Sequence, residues 1–126
     1  MVDTLSIALS GLMAQSRKLS ATASNIANAS TTGALPTAQS PASTVYKPLT
    51  VNYTTLPDGG VTANVTADEN GYSPVYSPSD AYANSAGLVA TPNVDLGQEI
   101  VSLIETKTIF KANVAVIKTQ DKMLGE

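Results

Sequence analysis

The chain has no cysteine, no histidine, no tryptophan and one Phe, and only 13% of its 126 residues are charged. Without Cys, disulfide scaffolds and thiol chemistry are excluded. Without Cys or His, zinc centres built on those ligands are excluded too, and a Ser-His or Cys-His nucleophile pair cannot be assembled. Only carboxylates, Lys and Tyr remain for acid–base work. Seven Lys/Arg stand against ten Asp/Glu, so the basic footprint of a nucleic-acid binder is missing. Between Pro48 and Thr106 there are seven acidic residues and no basic one, which disfavours polyanions on Coulombic grounds. Long apolar runs are also lacking. The longest, Val114-Ala115-Val116-Ile117, is far short of the roughly 18 residues of a membrane span. The start Met1-Val2-Asp3-Thr4 is acidic with no apolar stretch behind it, and no cleavable secretory signal is expected.

Ser, Thr and Ala are abundant, 45 residues of 126 together. Bulky apolar side chains gather at the two ends of the chain. In the first segment (1–33), Leu5, Leu12, Leu19 and Ile26 recur every seven residues. Leu9, Ser16 and Ala23 fall four residues after the first three. This alternation of three and four predicts a helix over residues 4–29 with a coiled-coil type seam, bulky on one edge and small on the other. Asp3 or Thr4 can cap its start. Residues 28–33 carry the stop signal.

The middle segment (34–92) holds all seven prolines, a spacing no long helix survives. Leu49-Thr50-Val51-Asn52-Tyr53 and Val61-Thr62-Ala63-Asn64-Val65 alternate as strands do, around the turn sequence Leu56-Pro57-Asp58-Gly59-Gly60. They predict a β-hairpin. Residues 34–44 read as a flexible loop. Residues 72–90 read as extended and irregular, with Pro74 and Pro78 as breakers. Asp68-Glu69 is the only adjacent acidic pair. It precedes Asn70-Gly71 and reads as a solvated turn, not an acid–base site.

In the last segment (93–126), Leu96, Ile100, Leu103, Lys107, Phe110, Val114, Ile117, Asp121 and Leu124 are spaced 4-3-4-3-4-3-4-3. Asn93 or Asp95 can cap this helix. Glu99 and Glu105 lie in its first half and Lys111, Lys118 and Lys122 in its second, as the helix dipole favours. The expected fold is therefore mainly α: two long terminal helices pairing as a coiled-coil hairpin, with a small β-hairpin and irregular middle. The middle is too small to cover both seams. An internal helical hairpin and an intermolecular bundle both satisfy the periodicity, and the uncovered flanks favour the bundle. Helices of this kind are expected to order on assembly.

Ala23-Ser24-Asn25-Ile26-Ala27-Asn28, followed by Thr31-Thr32-Gly33, resembles the Asn-Leu-Ala-Asn type element that closes the first helix of bacterial flagellar axial proteins. Tyr76-Ser77-Pro78-Ser79-Asp80, Gly87-Leu88-Val89, Pro92-Asn93-Val94 and Phe110-Lys111-Ala112-Asn113-Val114 are similar to the corresponding run of the FlgC family of basal-body rod proteins. Ala34, Ala81 and Leu88 depart from the family pattern.

The resemblance implies a structural subunit of the flagellar proximal rod, not an enzyme, without cofactor or metal. It also implies type III export without a cleaved signal, location in the periplasmic rod, and a torque-transmitting hollow shaft. Implied partners are other rod subunits, the adaptor joining rod to membrane ring, the surrounding bushing ring, and the export apparatus in transit. Nucleic acid and a membrane span are not implied. Leu5, Leu12, Leu19, Ile26, Leu96, Ile100, Leu103, Phe110, Val114, Ile117 and Leu124 are the expected assembly residues. Asn25 and Asn28 are expected at the helix-end turn. Another short rod subunit, the rod-to-ring adaptor, and a small binding module with an internal helical hairpin are the alternatives.

Overall fold

The computed structural model describes residues 3–125. Met1, Val2 and Glu126 lie outside them, and with them part of the start read for a signal and the outermost residues of the two terminal segments. Helix α1 spans Thr4–Asn28. Asp3 is its N-cap, its carboxylate accepting from the Leu5 N–H at 3.1 Å. Strands β1 (Leu49–Thr55) and β2 (Val61–Ala67) pair antiparallel in the register Leu49↔Ala67 to Thr55↔Val61. Strands β3 (Tyr72–Tyr76) and β4 (Leu88–Pro92) form a second antiparallel pair. Helix α2 spans Leu96–Leu124. Asp95 caps it, accepting from the Gln98 N–H at 3.2 Å, and Lys122 lies in its last turn.

The first hairpin forms where alternation and turn chemistry predict it. The Leu56 N–H donates to Gly60 O and the Gly59 N–H to Leu56 O, at 2.8 and 3.0 Å. Gly59 has φ +89°, a conformation that Gly adopts without steric cost.

The second hairpin corrects the expected fold class. The protein is α+β, with two helices and two two-stranded antiparallel sheets, not mainly α with an irregular stretch over 72–90. Pro74, read as a breaker, lies inside β3 and Pro92 inside β4, whereas Pro78 falls in the turn between the strands; the register explains how strands hold the first two. Gly33 and Ala90 exchange two backbone bonds, Gly33 N–H to Ala90 O at 3.0 Å and Ala90 N–H to Gly33 O at 2.8 Å. The polar groups of Ala90 thus point away from β3. Its partner Pro74 occupies a non-hydrogen-bonded site of the ladder, where a missing N–H costs nothing. Pro92 is two residues from Ala90 and shares its orientation.

The helical hairpin needs a correction as well. The helices do pair antiparallel: Asn25 bonds Glu99 near one end, and Gly11 meets the Asn113 side chain near the other. The residues most enclosed are not those of the bulky seams, of which Leu5, Leu12, Ile26, Val114 and Ile117 are only half-buried. On α1 the inward stripe is Ala8, Gly11, Gln15, Thr22 and Asn25, and on α2 it is Glu99, Ser102, Thr106 and Asn113. Small and polar residues let the helices approach closely but bury little apolar area. Gln15 Oε1 and Thr22 Oγ1 are buried without a partner, which costs stability.

The neighbouring face of α1 takes the first hairpin. Arg17 Nη1 donates to Ala63 O at 2.8 Å, and the Val61 N–H donates to Ser10 Oγ at 3.1 Å. Ala14, Ala21 and Ala63 are buried. The core is therefore made of small side chains, with Val89 and Thr22 the largest that are fully enclosed.

Candidate assembly surface

The bulky residues are left outside this small core. Leu19 is 44% exposed, Ile100 52%, Leu103 36% and Phe110 41%. Leu96 and Leu124 are exposed too, while Leu5, Leu12, Ile26, Val114 and Ile117 are half-buried. None of the eleven apolar residues singled out from the sequence is buried. A groove of about 520 Å³ runs between the helices, lined by Leu19, Leu103, Ile104, Thr106, Lys107, Phe110 and Lys111. Its walls are mostly apolar and two lysines lie along them. Scattered exposed Leu residues need no explanation, but contiguous apolar surface on a small protein marks a contact site.

Sequence reasoning missed a further stripe on α2. Ile109, Val116 and Met123 are exposed and recur every seven residues. A heptad search in a second register, one residue off the first seam, would have found them.

Asn25 is the best-anchored side chain at the first helix end and is 3% exposed. Its Oδ1 accepts from the Leu49 N–H and from the Tyr46 hydroxyl, both at 2.8 Å. Its Nδ2 donates to Leu49 O and to Glu99 Oε1, both at 2.9 Å. Two donors and two acceptor sites are thereby fully used. One amide joins α1, the start of β1, and the first turn of α2. Asn28 bonds locally, its Nδ2 donating to Ser24 O at 2.9 Å. Thr31 Oγ1 then donates to Asn28 O at 2.7 Å as the chain leaves the helix. The partners of Asn25 lie far along the chain, so residue type and spacing could not reveal them.

Two family models match the chain: "Flagella basal body rod protein" over residues 5–34 and "Flagellar basal body rod FlgEFG protein C-terminal" over residues 85–126. They cover α1 with the Gly33 bridge, and β4 with α2. The flagellar basal-body rod protein FlgC of Escherichia coli O157:H7 is 34% identical over 131 residues, covering 98% of this chain and 92% of that relative. The FlgC of Salmonella typhimurium is 33% identical with the same coverage. The chain belongs to the FlgC family of flagellar basal-body rod proteins. The FlgC of Bacillus subtilis is 34% identical over 67 residues, 53% of this chain and 45% of that relative.

As a FlgC-family member the chain is a structural subunit of the flagellar basal-body rod, which assembles with other rod components. Among the described residues no helix is long and apolar enough to cross a membrane.

Proposed function

We propose that this subunit builds its part of the rod by burying the exposed apolar surface of α1 and α2 against neighbouring subunits. The observation that carries the reading is the exposure of Leu19, Leu96, Ile100, Leu103, Phe110 and Leu124 in a chain whose own core is filled by Ala, Thr and Val. Leu5, Leu12, Ile26, Val114 and Ile117, already half-buried, complete the same surface. Each Leu or Ile that passes from water into such a contact contributes about 1.5–3 kcal/mol. One contact is weak, and many around a lattice are strong. Head-to-tail contacts that do not close give an open tube.

In this reading residues 1–33 and 93–126 are the axial segments and residues 34–92 the part carried outside them. Asn25 and Asn28 shape the exit from α1. The subunit works mechanically and not as an enzyme. It transmits torque as part of a hollow periplasmic shaft and reaches that place unfolded, through type III export without a cleaved signal. The rod-to-ring adaptor and the bushing ring are its further partners. These finer statements rest on the resemblance of the terminal motifs.

Leu103→Asp tests the assembly surface. Leu103 is 36% exposed and lines the groove, so the monomer tolerates a charge there and an apolar contact does not. The variant should be exported normally but fail to enter the rod, leaving cells non-motile. A working rod containing Leu103→Asp overturns the proposal.

A further inference from the structure

Helix α2 has three longitudinal stripes at 3.6 residues per turn. The inward one, through Thr106 and Asn113, faces α1. To one side lies the stripe through Leu103, Ile104 and Phe110, which forms the groove with Leu19 and carries Lys107 and Lys111. To the other side, roughly opposite by helical geometry, lies the stripe through Glu105, Ile109, Val116 and Met123. All four of these residues are exposed, and no lysine falls among them.

We infer that these two sides are unlike halves of one self-association contact. The groove side of one copy receives the Ile109–Val116 side of a second copy of this chain. The inference rests on the assembly reading above and adds the identity and polarity of the pairing. Three features support it. Both sides are apolar, so each can bury the other. The groove side carries Lys107 and Lys111, and the opposing side carries Glu105, so charge favours unlike pairing. Pairing the groove side with itself would bring the lysines of two copies together, which disfavours a symmetric dimer. Because the two sides face away from each other, a copy seated on one leaves the other open. The contact is heterologous and continues from copy to copy.

The test uses two variants of the full chain, each blocking one side. Leu103→Asp removes the groove side and Val116→Asp removes the other. Sedimentation velocity should find wild type growing into large species as concentration rises. Each variant alone should stay monomeric. An equimolar mixture should form a dimer of twice the monomer mass and nothing larger, because only one unlike pair remains available.

A variant that dimerises alone, a mixture that stays monomeric, or a wild type that stays monomeric overturns the inference. Far-UV circular dichroism checks that each variant keeps its helices. Ile104→Asp, in the groove, with Ile109→Asp, both at exposed sites, serves if either of the first two does not fold. If the mixture stays monomeric while Leu103→Asp is still shut out of the rod in cells, self-pairing fails and the rod reading stands. If the mixture dimerises while Leu103→Asp builds a working rod, the reverse holds.

Discussion

Asn25→Ala is the most informative single change in this fold. It removes four hydrogen bonds at once: two with the backbone of Leu49, one from the Tyr46 hydroxyl and one to the Glu99 carboxylate. A neutral bond contributes about 0.5–1.5 kcal/mol net, and one to a charged group about 1.5–3. The Leu49 N–H and C=O sit where β1 begins, and water reaches them only partly because Leu49 is half-buried. Allowing for that partial rehydration, the loss should be about 3–4 kcal/mol, a large share of the roughly 5–15 kcal/mol that holds an ordinary domain.

Urea unfolding followed by circular dichroism measures this loss. Hydrogen exchange adds where it is felt: the first turns of α2 and the Leu49 end of β1 should lose protection before the middle of α1. Asn25→Asp is the control. It keeps both acceptor sites but loses both donors and sets a carboxylate against Glu99. Protonating one of the two restores a donor and removes the repulsion. The deficit of Asn25→Asp against wild type should therefore shrink as pH falls towards about 4, and by more than that of Asn25→Ala, in which only the charge-assisted share of the wild-type bond to Glu99 is at stake. A loss below about 1 kcal/mol for Asn25→Ala, the worth of one ordinary bond, would refute the claim that this amide joins the three elements.

Other substitutions probe the strands and the bridge. Gly33→Ala would place a Cβ 2.4 Å from the Val45 backbone nitrogen. It should break the Gly33–Ala90 exchange and lower the melting temperature by several degrees, as a cost of about 1–3 kcal/mol implies for a domain of this size. In the second hairpin, Pro74→Ala should change stability by less than about 1 kcal/mol, because Pro74 sits at a non-bonded ladder site. Val75→Pro, one residue along and opposite Val89, should cost about 3 kcal/mol or more by deleting a ladder donor. Equal effects of the two in thermal melts would mean that Pro74 does not face Ala90 across a non-bonded site. Gly87→Ala combines a φ of +76° with a Cβ 2.8 Å from the Tyr76 ring. It should destabilise the same hairpin by about 1 kcal/mol or more, seen as faster exchange over residues 72–92.

Both helices were legible in the sequence to within two residues at their ends, because heptad spacing and capping residues are local signals. So was the first hairpin, where alternation flanks a Pro-Asp-Gly-Gly turn. The rod-family resemblance lay in the same local strings, around residues 23–33 and 76–94. The second hairpin was not legible. Whether Pro74 breaks a strand depends on which side of the ladder its nitrogen faces, and the bridge from Ala90 to Gly33, across more than fifty residues, decides that. Periodicity also said that each helix has an apolar stripe, but not which stripe faces inward. Close approach at Gly11 and the Asn25–Glu99 bond turn the small polar stripes towards each other and leave Leu19, Leu103 and Phe110 outside. Local spacing thus determined the elements. Long-range pairing decided which of their faces the chain keeps for itself and which it presents outward.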